Sequence, residues 1–408
     1  MPKYAIHLFM PATVLLLSAI LIALPSTGAA AGSPGAGSPG APIIPAPPQL
    51  AAEGYLLLDA DTGRVLVEHN SKQRLPPASL TKIMTSYVAA EEIERGTLTE
   101  TEEVDVSVKA WRMEGSRMFI QEGTKVSVDQ LLKGIIIQSG NDASVAMAEH
   151  IAGGEDAFAD VMNQHAMRLG MSDTNFKNAT GLPDEDHYTT ASDLAKLTIA
   201  LINRHPEHYK LYSEKSFRYN EINQSNRNKL LWADRSVDGV KTGHTEAAGY
   251  CLVASAVRNN MRLISVVMGT KSEKARATES QKLLSYGFRY FETVRLYDAR
   301  EILNTVRLWN AEVSSVSMGL GEAVVITLPR GSKGSLSAAM DVESVILGPI
   351  SAGQALGQLT VSMGDNVVYE GPLIALADIP EAGFFKRMWH SLSLFALQLF
   401  GGDPLKIP

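Results

Sequence analysis

Ser79 and Lys82 stand three residues apart in the stretch Pro76-Pro77-Ala78-Ser79-Leu80-Thr81-Lys82. The two prolines discourage helix before Ala78, and the apolar spacing of Leu80, Ile83, Met84, Tyr87 and Val88 predicts a buried helix running to Gly96. Positions i and i+3 of a helix share a face, so a hydroxyl and an amine meet at its start. Such a serine is a nucleophile only if a base removes its proton. A lysine is that base only if burial or a second cation brings its pKa down toward neutrality. The same two residues serve equally as a helix cap beside a solvated side chain, so the rest of the chain has to decide.

Two later triplets offer the missing parts. Ser139-Gly140-Asn141, at a predicted helix junction, supplies a second hydroxyl for proton relay and an amide that can donate and accept. Lys241-Thr242-Gly243 opens a predicted strand region; its amine adds positive charge that would depress the Lys82 pKa, and Gly243 lets a substrate backbone come close. Each triplet alone is a weak signal. The ordered set, Ser-x-x-Lys, then Ser-x-Asn about 60 residues on, then Lys-Thr-Gly about 100 further, is a strong one. His205 and His208 flank Pro206-Glu207 without a helical His-Glu-x-x-His and are expected at the surface, so neither a metal nor a cofactor is expected.

The elements that must position these residues are legible in outline. Residues 55–59 and 64–68 read as a hairpin around Asp61-Thr62-Gly63, and 249–257 and 261–269 as another around Arg258-Asn259-Asn260. Between them lie predicted helices. One opens on a Ser127/Gln130 capping box with a Val126/Leu131 staple and stops at Ser139-Gly140. Others cover 141–151, 156–169 with Gly170 as stop, and 191–203 behind a Thr190 cap, and a last one covers 271–289. Residues 97–125 suggest only short strands. A strand hairpin near each end with helices between predicts an α+β sandwich, an antiparallel sheet covered by helices.

At 408 residues the chain exceeds one domain. Residues 1–31 have the grammar of a signal peptide: Lys3 and His7, an apolar run over 8–24 broken by Pro11, then Ala29-Ala30-Ala31 near the cleavage point. An uncleaved membrane anchor is the alternative, and either way the bulk of the chain is exported. Residues 32–48 are a Pro/Gly-rich linker, with folding expected from Gln49, so that 49–293 form the first domain. Residues 294–377, short strands between Gly, Ser and Asp turns, predict a small all-β pedestal. In 378–408, Phe384, Phe385, Met388, Trp389, Leu392, Phe395 and Leu399 share one helical side, which predicts an amphipathic helix lying in a membrane surface. Packing on the protein itself or on a dimer partner is the alternative. A net charge of -7 speaks against nucleic acid, and the single Cys251 excludes an intrachain disulfide and reads as core filling.

With the three motifs in hand, the sequence resembles the low-molecular-mass penicillin-binding proteins, serine D-alanyl-D-alanine carboxypeptidases of the penicillin-binding protein 5 type. Ala78-Ser79-Leu80-Thr81-Lys82, Ser139-Gly140-Asn141-Asp142 and Lys241-Thr242-Gly243-His244-Thr245 look like that family's motifs, with Trp232, Asp238 and Gly239 at familiar distances before the third. The resemblance implies a penicillin-binding, transpeptidase-like domain, a β-rich pedestal and an amphipathic anchor. It implies that Ser79 attacks the carbonyl between the two terminal D-alanines of a stem peptide, with Lys82 as base and Ser139 protonating the leaving amine. The backbone N–H groups of Ser79 and His244 would form the oxyanion hole, while Lys241, Thr242 and Arg227, with Arg276 nearby, would receive the terminal carboxylate. Both arginines also read as partners in salt bridges within the domain. Thr180 stands where the family often has histidine, so local substrate contacts there are an open point.

The partners implied are stem peptides ending in D-Ala-D-Ala, β-lactams as inhibitors and a membrane surface; a homodimer is left open. Two rivals remain at this stage. A serine β-lactamase would want a Glu-x-x-Leu-Asn run between the second and third motifs, and none occurs there. A catalytically silent wall-binding scaffold would have no need of Ser79, Lys82, Ser139 and Lys241 together.

Overall fold

The computed structural model describes residues 4–8 and 44–407. The expected signal peptide and most of the expected linker lie outside the described residues, apart from the strand Tyr4–Leu8. The chain divides into two compact units, one of Pro45–Glu292 and one of Thr293–Pro408, to which Tyr4–Leu8 belongs.

In the first unit five strands form an antiparallel sheet in the order Val65–His69, Gly54–Asp59, Met261–Thr270, Gly249–Arg258, Val237–Thr245. The middle strands read as near-continuous apolar runs because both of their faces are covered. Leu56, Leu58, Ile264 and Val266 pack with Ile83, Met84 and Leu194 from the helices Lys82–Arg95 and Ala191–Arg204. On the opposite face the helix Glu273–Tyr290 lies so close that a Cβ on Gly287 would stand 2.5 Å from Leu263 and 3.0 Å from Leu57. Odd and even strand residues thus serve two different layers, as a period of two requires. The helix Lys82–Arg95 is the middle of the unit: residues 82–90 are all buried, and Gly96 ends it in the left-handed region at φ 76. At roughly 1.5–3 kcal/mol for each large apolar side chain buried, that packing fixes where the helix begins.

Most expected elements are present within a residue or two. The folded unit starts earlier than Gln49, since Pro45 O accepts a hydrogen bond from the Tyr286 hydroxyl at 2.9 Å. Residues 97–125 hold a short helix, Val108–Trp111, besides the short strands Glu103–Asp105 and Lys125–Ser127. The hairpin Ser216–Tyr219/Ile222–Ser225 was not anticipated. Lys241 lies inside the edge strand Val237–Thr245 instead of opening one. The helix begun by Ser127, whose hydroxyl accepts from Gln130 N, runs regularly only over Val128–Lys133. It then widens into a π-turn, Gly134–Gln138, which delivers Ser139 at φ 65.

The second unit is built on a six-stranded sheet in the order Tyr4–Leu8, Leu336–Val342, Ala355–Met363, Asn366–Ala375, Ser315–Gly319, Asn304–Arg307. Its core runs past residue 377, taking in Ile379 and Leu405. The anchor segment 378–408 is therefore not a separate piece: Arg307 N donates to Leu405 O at 3.0 Å and Trp309 Nε1 to Pro404 O at 2.9 Å. Between these points the helix Phe384–Leu399 has no buried residue. It is held by Lys386 Nζ on Glu312 O at 2.7 Å and Asn310 N on His390 Nδ1 at 2.9 Å. No helix among the described residues is long and apolar enough to cross a membrane.

Candidate active site

The turn Ala78–Thr81 carries Ser79 into the helix Lys82–Arg95, and no side chain caps either start. Lys82 is fully buried. Its Nζ lies 3.2 Å from Ser79 Oγ, 2.7 Å from Asn141 Oδ1 and 2.6 Å from Thr180 O. The alternative of a solvated lysine beside a helix cap is thereby excluded. Burial, and then the Arg227 guanidinium, bring the Lys82 pKa down to about 7 against the opposing pull of Asp142 and Glu155. A neutral Nζ held between Asn141 and Thr180 points its lone pair at Ser79, so the serine O–H can donate to it.

Ser139, Asn141, Thr242, Gly243 and His244 line a cleft of about 530 Å³ together with Ser79. Ser139 Oγ is buried and has no hydrogen-bond partner among the described residues. Asn141 is as much a brace as a binding group: besides holding Lys82, its Nδ2 donates to Glu114 O and its backbone N to Ser116 O, each at 2.7 Å. Lys241 is buried behind the cleft, with Nζ on Thr242 O at 3.2 Å. Its pKa falls well below the ordinary range through burial and then repulsion from Lys82, Arg227 and Arg276. The sequence pointed to Lys241 as the cation acting on Lys82. In the structure the two buried amines repel each other, and Arg227 adds its positive charge to both.

Gly243 lines the cleft and also has a close neighbour within the protein. A Cβ there would come within 3.1 Å of Pro77 O and 3.2 Å of Ala78 Cβ, so the glycine lets the edge strand close on the turn that carries Ser79. The His244 ring stacks on Tyr250 at 3.9 Å. Arg276 does make the contact within the domain, to Glu273 at 3.4 Å, but its other nitrogen donates to Gly243 O at 3.0 Å and it lines the cleft. Arg227 also lines the cleft and has no ion pair among the described residues. Trp232 is exposed outside the cleft, and Asp238 is engaged by Tyr209 and Arg262.

Three parts of the site went unread in the sequence. Asp142 accepts from the backbone N–H groups of Met118, Phe119 and Ile120, clasping the segment that carries Gly115 and Ser116 over the cleft. Thr180 acts on Lys82 through its carbonyl, while its hydroxyl bonds Asn178 at 2.9 Å. Gly181 at φ 84 sits against Ala78. The one local signal was the Asp directly after Ser-Gly-Asn. His205, expected at the surface, is buried between Glu91 and Glu94, 3.1 Å from each. Among the described residues no group of three or more His, Cys, Asp or Glu side chains is placed to hold a metal ion.

Residues 42–272 match the family described as D-alanyl-D-alanine carboxypeptidase, and residues 291–381 match the penicillin-binding protein 5 C-terminal domain. The chain is 42% identical over 362 residues to D-alanyl-D-alanine carboxypeptidase DacC of Escherichia coli, covering 87% of this chain and 90% of that protein. The chain belongs to the D-alanyl-D-alanine carboxypeptidase family. Its fold is similar to penicillin binding protein 5 from Haemophilus influenzae, with a TM-score of 0.78 at 40% identity, covering 82% of this chain and 99% of that one. Penicillin-binding protein D2 from Listeria monocytogenes, solved in an ampicillin-bound form, is similar with a TM-score of 0.56 at 30% identity, covering 60% and 100%. The chain is thus a D-Ala-D-Ala carboxypeptidase, of a family that binds the D-Ala-D-Ala ends of peptidoglycan peptides and β-lactams and whose homologues are bacterial cell-wall proteins. The β-lactamase and scaffold alternatives give way to that assignment.

Proposed function

We propose that Ser79 is the residue acylated during D-alanine release, with Lys82 as its base. The observation that carries this reading is the buried Lys82 amine, 3.2 Å from Ser79 Oγ, with a pKa near the working pH. Ser79 Oγ attacks the carbonyl carbon between the two D-alanines and its proton passes to Lys82 Nζ. The C–N bond then breaks as Ser139 hands its proton to the leaving amine and takes the one held on Lys82 Nζ, which is neutral again. Water adds to the acyl ester as Lys82 takes its proton, and that proton passes to Ser79 Oγ as the ester C–O bond breaks, releasing the shortened peptide with Ser79 and Lys82 restored. The backbone N–H groups of Ser79 and His244 are the proposed oxyanion donors, since two fixed dipoles aimed at the developing charge suit that task. Thr242, Arg227 and Arg276 are the proposed receivers of the terminal carboxylate, with Lys241 beneath them. Ser139 fits the relay because a buried hydroxyl left unpaired costs roughly 1–3 kcal/mol, a cost that an arriving substrate relieves.

Benzylpenicillin should leave a long-lived covalent adduct on the peptide that contains Ser79, and prior acylation should block D-alanine release from a Lys-D-Ala-D-Ala peptide. An adduct mapped by mass spectrometry to any other residue would overturn the assignment.

The reading extends to the ends of the chain. Residues 1–31 are taken as an export signal, 32–44 as linker, 45–292 as the catalytic domain and the residues from 293 onward as the β-rich pedestal; the helix at 384–399 holds the enzyme to the periplasmic face of the inner membrane. Phe385 and Trp389 are 80% and 69% exposed on that helix, an arrangement water disfavours and a lipid interface welcomes. Because the tail beyond the helix is part of the β unit, substitution tests this better than deletion. The triple variant Phe385→Glu, Trp389→Glu, Phe395→Glu should lose binding to anionic lipid vesicles while releasing D-alanine from soluble peptides at the wild-type rate. Vesicle binding unchanged in that variant would rule out the anchor.

A further inference from the structure

Two cavities of the carboxypeptidase unit share a wall. One side of the catalytic cleft is the strand running from Thr242 to Thr245, and the other includes Thr180, Gly181 and Leu182. A second cavity of about 570 Å³ begins where the cleft ends. Gly181, Leu182 and Thr245 line both, whereas Pro183, Asp184, Glu185 and Ala247 line only the second. Both walls therefore continue from one cavity into the next in the same direction.

That direction can be matched to a substrate. If the terminal carboxylate sits by Thr242 and Arg276 and the scissile carbonyl at Ser79, the rest of the peptide leaves the cleft toward Thr245. From Thr242 to Thr245 the strand covers about 10 Å at ~3.3 Å per residue, roughly the span of three extended substrate residues. The residue before the two D-alanines then arrives at the mouth of the second cavity.

We propose that this cavity is a subsite for the third residue of the stem peptide, the diamino acid, whose side-chain ammonium is held by Asp184 and Glu185 while its methylenes lie on Leu182, Pro183 and Tyr188. The proposal rests on the assignment of Ser79 and Thr242 given above. The balance of charge favours a cation. Arg74 is already bonded to Asp173 at 2.9 Å and lies over the Tyr188 ring at 4.7 Å. His187 is bonded to Thr81 Oγ1 at 2.9 Å, and burial brings its pKa down to about 4, so it is neutral near pH 7. Asp184 and Glu185 are exposed at the rim, and neither carries an ion pair among the described residues. The Asp186 N–H, 2.9 Å from Asp184 Oδ1, fixes that carboxylate in place.

The test compares D-alanine release by the full chain from three peptides: acetyl-D-Ala-D-Ala, α-acetyl-Lys-D-Ala-D-Ala, and the same lysyl peptide acetylated on its ε-amine. The free ε-amine should raise kcat/KM by about two- to tenfold over its acetylated twin, chiefly through KM, and the preference should fade as salt rises. The double variant Asp184→Asn, Glu185→Gln should abolish the preference while hydrolysing acetyl-D-Ala-D-Ala as wild type does. Equal rates on the two lysyl peptides in wild type, or a preference that survives in the double variant, would overturn the subsite. Wild-type enzyme that releases no D-alanine from any of the three would overturn the catalytic reading beneath it, and the subsite with it.

Discussion

Lys82→Arg should lower the rate of Ser79 acylation by about 10²–10⁴ and flatten its dependence on pH. The wild-type amine is the working base only when neutral. With a pKa of about 7, half of it is neutral at pH 7, against about 3 in 10 000 for an ordinary lysine. Acylation by benzylpenicillin should therefore rise as pH climbs through about 7 and level off above it. A guanidinium stays charged throughout and accepts no proton, so the rise should vanish with the rate. Lys82→Met separates shape from charge: it is of similar length, is neutral, and should be as slow as the arginine variant. Stability should also rise with pH, over the window above that rise in rate. Since the folded pKa lies below the unfolded one, folding sheds a proton between about pH 7 and 10.5, and the burden of a buried ammonium is greatest below 7. Wild type should thus gain stability relative to Lys82→Met as pH rises across that window, measured as a difference in Tm. An arginine variant that acylates within fivefold of wild type with the same pH profile would remove Lys82 from the mechanism.

The chemistry of the site was legible wherever it depends on neighbours along the chain. Ser79 and Lys82 meet because a single turn brings i and i+3 together, and Thr190 caps its helix because the next turn offers a free N–H at Asp193. What could not be read depends on contacts made across the fold. Thr180 reaches Lys82 through a carbonyl that every residue type possesses, so its identity carries no signal. That Arg227 acts on Lys82 as well as on Lys241 could not be read, because in a buried cleft the distances and burial of each group decide, and those are set by packing. The close seating of Gly243 on the protein's own turn at Pro77 is likewise a contact across the fold. The tail showed no pattern that would have predicted Leu405 in the core of the β unit, since one apolar residue has no period.

Gly181→Ala should destabilise the catalytic unit by about 2–4 kcal/mol, combining left-handed strain with overpacking. For a unit of this size that corresponds to a Tm lowered by roughly 5–15 °C. Gly181 has φ +84, and a Cβ built there falls 1.8 Å from Ala78 O and 3.0 Å from Ser79 N. Those are backbone atoms, with no flexible side chain to swing aside. Something must move, and what moves is either the turn that presents Ser79 or the loop whose Thr180 carbonyl holds Lys82 Nζ at 2.6 Å. Both displacements spoil the same hydrogen bond, so acylation should fall by about 10² even in the fraction that folds, the loss expected when reacting groups are misplaced by about 1 Å. Gly153 supplies the control: at φ +75 it has the same left-handed backbone, yet its Cβ would meet nothing within 4 Å. Gly153→Ala should show the strain alone, about 1 kcal/mol, and leave acylation unchanged. If the two alanine variants prove alike in Tm and in benzylpenicillin acylation, the close seating of residue 181 on Ala78 is not what sets the position of Ser79.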